Sequence, residues 1–220
     1  MPDVQAAYDQ LAAERGFEPD PGITPGPVTR LLLDAESGRH EELESARLQP
    51  ALRAPPGEGP KFVVGHLAYT AETTTNLKYF DWKRKSSHRF DLAWTEVPGA
   101  TACVPRLLCI RRGRRTRPRQ IPGSGFVLRH SQRWTESAAL NKRYEITIGI
   151  YQDLEWMRRL FTPRFVDWLV SAPPPSFSFE LVRGTLVGSI DGDDPSAESL
   201  GALCDATAHV AARVREECPA

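Results

Sequence analysis

The chain has 220 residues, of which 40% are hydrophobic and 25% charged, and its 28 basic residues balance its 28 acidic ones. This length and composition indicate a globular domain with a sizeable core and exclude a disordered or fibrous protein. No run of residues approaches the roughly 18 consecutive apolar positions of a membrane span, and the first residues lack a signal-peptide pattern. We therefore expect a cytoplasmic protein, and its richness in Arg, Ala, Gly and Pro favours a bacterial source.

The net charge of zero hides an uneven distribution. Residues 78–143 carry 16 Lys and Arg against 4 Asp and Glu, so the rest of the chain is equally acidic. A basic middle region of this kind indicates an anionic partner or an internal balance of surface charge.

The chain begins with a predicted helix, which occupies most of residues 1–17. Val4, Tyr8 and Leu11 recur at helical spacing, Asp3 can cap the N-terminus, and Gly16 can end the helix. Clusters of Pro and Gly then predict turns between short elements up to residue 60.

The region of residues 61–150 is predicted to be rich in β-strands. Apolar or alternating runs predict strands at residues 62–69, 77–82, 90–94, 102–110 and 146–150. Residues 83–87 are polar and are predicted to form a hairpin loop. Pro105 lies inside one run and favours an edge strand or a bulge.

Residues 153–220 are predicted to form a helix, a hairpin and a closing helix. Thr162 followed by Pro163 predicts a break and restart in the first helix, with Phe161 and Phe165 both directed to the core. A turn near Gly184 joins the hairpin strands, and a final helix begins near residues 194–195.

These elements predict a single α+β domain spanning residues 1–220. Its mostly antiparallel sheet of about six to eight strands packs against the Pro-broken helix pair and the C-terminal helix. Four tryptophans are expected to fill the interface between the layers: Trp82, Trp94, Trp156 and Trp168.

The C-terminal half resembles an uncharacterised family of bacterial proteins. The resemblance lies in residues 140–146, in residues 160–169 with their Thr162-Pro163 break, and in residues 179–186 of the closing hairpin. It implies a shared fold with a Thr-Pro-broken helix and a closing hairpin and helix, and it implies no activity.

The sequence predicts no metal site and no cofactor. The five histidines are scattered, no two cysteines form a Cys-x-x-Cys pair, and residues 122–126 lack the remaining glycines and lysine of a phosphate-binding loop. Residues 191–194 are acidic, but their spacing is that of a turn and a helix cap rather than of a calcium loop.

The cysteines are expected to be reduced thiols without a function. Cys103 and Cys109, if both lay in one extended strand, would have α-carbons roughly 20 Å apart, beyond the roughly 7 Å limit for a disulfide. Cys204 is expected on the apolar face of the last helix and Cys218 in the tail.

One alternative function is an enzyme that acts on a small anionic substrate. The candidate acid and base residues are His66, His88 and Asp91, since strand residues near loop ends can converge in a cleft. The candidate substrate-holding residues are Arg106, Arg129 and Arg133.

The arginine segment, residues 111–119, is the strongest chemical signal. It contains six arginines in nine residues: Arg111, Arg112, Arg114, Arg115, Arg117 and Arg119. With Gly and Pro inside and no hydrophobic period, it predicts an exposed loop, either balanced by acidic surface elsewhere or bound to an anionic partner. The leading interpretation is a non-enzymatic accessory or adaptor module that binds a protein or another anionic partner, with nucleic acid among the possibilities.

Overall fold

A computed structural model describes residues 3–20, 47–55, 61–77, 80–104, 106–113, 131–182 and 184–218, with the backbone alone of residues 47–48, 69–77, 80–88 and 131. The helices in these ranges are α1 (Val4–Arg15), α2 (Ala100–Cys103), α3 (Ala138–Arg143), α4 (Leu154–Leu160), α5 (Pro163–Ser171) and α6 (Ala197–Glu217). The strands are β1 (Glu18–Pro19), β2 (Arg47–Arg53), β3 (Val63–Leu77), β4 (Phe80–Glu96), β5 (Arg106–Arg111), β6 (Ser131–Trp134), β7 (Tyr144–Gly149), β8 (Ser178–Val182) and β9 (Thr185–Asp191).

The described strands form one sheet in the order β1-β2-β3-β4-β9-β8-β5-β7-β6. Every neighbouring pair is antiparallel. The α+β class and the antiparallel sheet are therefore confirmed, with nine strands instead of six to eight. Among the described residues, no helix combines the length and the apolar character that crossing a bilayer requires.

The helices cover one face of the sheet. The buried apolar residues of all six described helices belong to one core cluster, together with alternate strand residues such as Val64, Ala93, Leu107 and Ile146. The opposite face carries a second set of buried apolar side chains outside that cluster: Leu67, Phe90, Leu92, Trp94, Leu108, Ile110, Val182 and Val187. The central strands are thus apolar on both faces.

Local capping fixes α1 as the sequence predicts. The Asp3 carboxylate accepts a hydrogen bond from the Ala6 backbone N–H at 3.1 Å, and Gly16 ends the helix in the left-handed region with φ +67°. Tyr8 and Leu11 lie one turn apart and are fully buried, so this face docks α1 on the sheet.

The predicted break at Thr162 and Pro163 is also confirmed. Helix α4 ends at Leu160, and Thr162 Oγ1 accepts a 3.4 Å hydrogen bond from the Phe165 N–H at the start of α5. Phe161 and Phe165 are both buried, with ring centroids 5.8 Å apart. The restart therefore lets two short helices follow the curvature of one core.

Three local predictions are wrong. Residues 83–87 are not a loop but part of β4, since β3 and β4 pair continuously out to Leu77 and Phe80. The run containing Pro105 does not form an edge strand: it divides into α2 and the central strand β5, which lies between β8 and β7. Trp94 is buried on the sheet face opposite the helices and so does not fill the helix–sheet interface.

Helix α6 approaches β9 closely at Gly188. A Cβ atom on Gly188 would lie 2.0 Å from Thr207 Oγ1 and 3.1 Å from a ring carbon of Phe177. Thr207 is buried, and its hydroxyl donates to the Leu203 carbonyl oxygen at 2.8 Å. The absence of a side chain at Gly188 therefore sets the distance between α6 and the sheet.

We expect Gly188→Ala to destabilise the fold by about 1–3 kcal/mol, because the added methyl group must displace Thr207 or α6. Thr207→Ala should partly rescue this variant, since it removes the atom with the closest contact. Chemical denaturation of both single variants and the double variant measures the coupling. Additive effects of the two substitutions would contradict this packing.

Candidate functional site

The arginine segment begins at the end of a central strand. Arg111 is the last residue of β5 and pairs with Tyr144 of β7. Its guanidinium carbon lies 5.0 Å from the centroid of the Tyr144 ring, within the range of a cation–π contact. Tyr144 is itself fully buried and donates a 3.2 Å hydrogen bond to the Leu169 carbonyl oxygen, so the root of the segment is fixed to the core.

Tyr144 provides a neutral aromatic platform. Burial raises the pKa of Tyr144 to about 12, although the neighbouring Arg111 guanidinium acts in the opposite direction. The phenol therefore keeps its proton at physiological pH, and its hydroxyl remains a hydrogen-bond donor to the backbone of α5.

Arg112 is anchored to the junction of α3 and β7. Its backbone N–H donates to the Arg143 carbonyl oxygen at 2.7 Å, and its side-chain Nε donates to the Tyr144 carbonyl oxygen at 3.1 Å. Gly113 follows with φ +78°, a conformation that favours glycine. Two backbone anchors thus hold an otherwise exposed arginine.

Two further basic residues lie beside the start of the arginine segment. Lys142 and Arg143 occupy the last turn of α3, where the helix dipole favours positive charge, and both are exposed. We call Arg111, Arg112, Lys142 and Arg143 the basic end. Within the described part of the chain, none of these four side chains forms an ion pair with a carboxylate.

The structure thus describes two of the six arginines that the sequence singles out. Arg114, Arg115, Arg117 and Arg119 lie outside the described residues. The contribution of Lys142 and Arg143 was missed by sequence reasoning, because it depends on the pairing of β5 with β7. In the sequence, both residues lie just before a predicted strand, and nothing there indicates that they adjoin the arginine segment.

Two of the three candidate acid and base residues do meet, in a network buried between α1 and the sheet. Asp91 of β4 is directly opposite His66 of β3, and its Oδ1 lies 2.9 Å from His66 Nδ1. The same oxygen accepts a 3.0 Å hydrogen bond from the hydroxyl of Tyr8 on α1. Tyr8 was not a candidate, since it is 83 residues from Asp91 in the chain.

This network attaches α1 to the sheet. Tyr8 and Asp91 are fully buried, and His66 is 5% exposed, so a substrate in solution has no direct access to the three polar groups. Burial is the main cause that raises the pKa of Tyr8 well above its usual range, and the Asp91 charge adds to it. Tyr8 therefore remains a neutral donor to the buried carboxylate.

The remaining enzyme candidates lie elsewhere. The backbone of His88 is opposite Tyr69 in the hairpin of β3 and β4. Arg106 begins β5 and Arg133 lies in β6, beyond β9 and β8 in the sheet order, whereas Arg129 is outside the described residues. Arg133 forms a 3.1 Å ion pair with Glu145, and neither Arg106 nor Arg133 lies on a strand next to the His66–Asp91 pair.

A groove of about 840 Å³ lies on the sheet face opposite the helices. Adjacent strands contribute Arg53, Val63, Trp94 and Thr185 to its lining. Its other lining residues are Glu18, Ala54, Lys61, Thr95, Glu96 and Pro98. The groove combines an aromatic wall with charges of both signs, and Arg53 is paired with Asp20.

Comparison with known proteins gives a likeness of fold. No family model matches the chain, and no curated protein matches it. Among solved structures, the chain is similar to the crystal structure of the mycobacterial trehalose monomycolate transport factor A, TtfA, with a TM-score of 0.57. The two chains are 10% identical, and the match covers 98% of this chain and 96% of that chain.

We expect Tyr8→Phe to lower the free energy of unfolding by about 1–3 kcal/mol at neutral pH, because Asp91 loses a buried hydrogen bond. Tyr151→Phe is the matched control, since Tyr151 is 89% exposed, and its effect should stay within about 0.5 kcal/mol. Urea denaturation measures both. Equal stabilities of the two variants would contradict the role of the network.

The effect of Tyr8→Phe should depend on pH in a defined direction. Because the folded-state pKa of Tyr8 is raised, its contribution to stability is present below the unfolded-state value near pH 10 and is lost as the pH rises further. The stability difference between the native protein and Tyr8→Phe should therefore shrink above pH 10, by at most about 1.4 kcal/mol per pH unit. A difference that stays constant or grows from pH 8 to 11 would contradict a neutral buried phenol.

Proposed function

We propose that this protein is a non-catalytic accessory module that binds an anionic partner through the basic end and the arginine segment. The observation that carries the proposal is the meeting of Arg111 and Arg112 with Lys142 and Arg143 at one end of β5 and β7. The sequence adds four more arginines directly after this point.

The charges at the basic end favour an external anion. Neighbouring like charges repel one another, and the repulsion is stronger near a protein surface than in bulk water. Counterions, acidic neighbours or a bound anion relieve such repulsion, and the described residues supply no ion pair to the four cations. Binding of an anion therefore relieves repulsion that no carboxylate among the described residues relieves.

The anchored arginines also lower the entropic cost of binding. Arg111 rests on the buried Tyr144 ring, and Arg112 is held by two hydrogen bonds to the backbone of residues 143 and 144. A guanidinium that is already positioned loses less side-chain freedom when it contacts a phosphate or carboxylate. The basic end can thus serve as a fixed start for a longer contact along the arginine segment.

The arrangement supports recognition by charge rather than by base sequence. The helix at the basic end, α3, has only six residues and ends there, so it presents no long face for a DNA groove. Arginines on a strand end and in a segment with Gly and Pro are suited to phosphate or carboxylate contacts. Acidic proteins, nucleic acids and anionic lipid surfaces all offer such groups.

An accessory role is also compatible with the fold likeness. The similar structure is that of a protein named as a transport factor. The Asp–His pair among the described residues is buried beneath α1 and serves packing, which favours binding over catalysis in this proposal. The likeness gives no basis for assigning that protein's cargo to this chain.

The proposal predicts salt-dependent binding of the full chain to at least one polyanion among mixed-sequence DNA, RNA, acidic vesicles and a poly-glutamate peptide. For duplex DNA, four to six phosphate contacts give a slope of roughly −4 to −5 for the logarithm of affinity against the logarithm of salt concentration. Replacement of Arg112, Arg114, Arg115 and Arg117 by Ser should reduce the magnitude of that slope by about 3 to 4. Fluorescence anisotropy and vesicle sedimentation measure the binding.

The matched control replaces Arg53, Lys61, Arg159 and Arg164 by Ser. It removes the same charge from exposed positions outside the basic end and should keep most of the slope. An equal loss in both variants would show that only the net charge matters. That result, or the absence of binding to all four probes at low salt, would overturn the proposal.

A further inference from the structure

The hairpin of β3 and β4 extends beyond the rest of the sheet. The last residue of β3 that pairs with β2 is Ala68, and the first residue of β4 that pairs with β9 is Phe90. Residues 69–77 of β3 and 80–88 of β4, which we call the ribbon, pair only with each other among the described strands. Nine residues in each strand, at about 3.3 Å each, give the ribbon a length of roughly 30 Å.

The outer end of the ribbon contains three large apolar residues. Leu77 is directly opposite Phe80 in the last pair of the ladder, and Trp82 is opposite Thr75. Residues that are opposite each other, or two apart in one strand, share a face of a ribbon. Leu77, Phe80 and Trp82 therefore lie on one face, and we call them the tip.

Three consecutive basic residues follow the tip along β4: Lys83, Arg84 and Lys85. They begin three residues after Phe80, which is about 10 Å in an extended strand. Because successive strand residues alternate between faces, these cations occupy both faces of the ribbon. The order from the outer end toward the sheet is thus apolar first and basic second.

The ribbon leaves the sheet at the edge that also contains the basic end. Strand β9 ends at this edge with Asp191, which pairs with Phe90, and β8 begins there with Ser178. Strand β5 is antiparallel to β8 and so ends at the same edge with Arg111. Two groups of cations at one edge of the sheet favour an approach of this edge toward a negatively charged surface.

This arrangement fits the layers of an anionic lipid bilayer. Trp is enriched at the level of the lipid headgroups, and the apolar faces of peripheral segments enter the boundary between headgroups and acyl chains by about 5–10 Å. With the tip at that depth, the first cations of the ribbon are at the level of the lipid phosphates. Basic residues at this level favour binding to anionic lipids.

Nucleic acid fits the ribbon less well. The ribbon contains Glu72 and Asp81 beside its three cations, so its net charge is only +1 with His88 neutral. Binding to nucleic acid depends mainly on the neutralisation of several phosphates. Proteins that stack bases also place their aromatic residues along a basic groove, whereas Phe80 and Trp82 lie at the end of the ribbon.

We propose that the ribbon is a docking element for the surface of an anionic lipid bilayer. The tip enters the headgroup region, and Lys83, Arg84 and Lys85 bind the lipid phosphates. Because a two-stranded ribbon without further packing is marginally stable in water, contact with the bilayer also stabilises it. The proposal goes beyond the proposed function, since the ribbon is a second binding element and its docking does not require the arginine segment.

The test is sedimentation of the full chain with phosphatidylcholine vesicles that contain or lack phosphatidylserine. The native chain should bind the vesicles with phosphatidylserine more strongly. Replacement of Leu77, Phe80 and Trp82 by Ser should weaken this binding at least about tenfold, because the tip no longer enters the headgroup region. Replacement of Lys83 and Lys85 by Gln should reduce the preference for phosphatidylserine by about fivefold for each cation.

The matched control replaces Ile150, Tyr151 and Leu154 by Ser. These are exposed apolar residues that follow β7. Because β7 begins at the edge that contains the basic end, they lie toward the opposite edge of the sheet. The control removes as many exposed apolar residues as the tip variant and should bind the vesicles as the native chain does. Circular dichroism establishes that both variants are folded.

Quenching of tryptophan fluorescence by brominated lipids tests the tip without removing it. Contact with the bilayer should quench Trp82, whereas Trp94, Trp134 and Trp156 are buried in the protein. Trp82→Phe should keep the vesicle binding and lose most of the quenching. This conservative variant tests the proposal even if the triple Ser variant does not fold.

Several outcomes would overturn the proposal. These are equal vesicle binding by the native chain and a folded tip variant, an equal loss in the control, unchanged quenching in Trp82→Phe, and no binding of the native chain to vesicles with phosphatidylserine. A tip variant that loses binding to DNA or RNA but not to vesicles would show that the ribbon binds nucleic acid instead.

The two proposals can fail separately. If the variant with Ser at Arg112, Arg114, Arg115 and Arg117 binds every polyanion as the native chain does, the proposed function is wrong and docking by the ribbon is unaffected. If that variant loses vesicle binding and the tip variant does not, docking by the ribbon is wrong and the proposed function is unaffected.

Discussion

The close approach of α6 to β9 at Gly188 is the constraint on which the helical layer depends. Because Gly188 has no side chain, Thr207 can lie against the strand, and α6 crosses both β9 and β4 as one long buried helix. Helices α1 and α4 attach to it. Arg15 of α1 forms a 2.6 Å ion pair with Asp205, and Arg159 of α4 forms a 3.0 Å ion pair with Glu217 in the C-terminal turn of α6. A larger residue at position 188 would therefore disturb contacts that involve three helices.

The fold separates its scaffold from its candidate binding surface. The helix-covered face contains the core cluster and the buried polar network of Tyr8, Asp91 and His66. The cations of the basic end lie outside this core, where β5 stops and α3 meets β7, and Tyr144 connects the two regions. Its ring supports Arg111, while its hydroxyl is bonded to the backbone of α5. The buried interior thus fixes where the charges of the basic end lie.

Local signals in the sequence predicted those elements whose ends are set by neighbouring residues. The Asp3 cap and the Thr162-Pro163 break are examples, because capping and proline chemistry act within one turn. The loop prediction for residues 83–87 was wrong because their polar character is typical of a loop. They pair in the structure with a threonine-rich stretch of β3, whose β-branched side chains suit an extended strand. The sequence also did not predict that β5 lies in the centre of the sheet, since the order of strands depends on pairing between distant segments.

The same distinction applies to the sites. The arginine segment is visible in the sequence because its charge is local, whereas Lys142 joins it only through the pairing of β5 with β7. The most direct test is an NMR titration of the full chain at low salt with each of the four polyanions, mixed-sequence DNA, RNA, acidic vesicles and a poly-glutamate peptide, of which at least one is expected to bind. The account predicts that the backbone amide shifts of Arg111, Arg112 and Arg143 change most. Changes centred on Trp94 in the groove of the opposite face, or no specific changes, would contradict it.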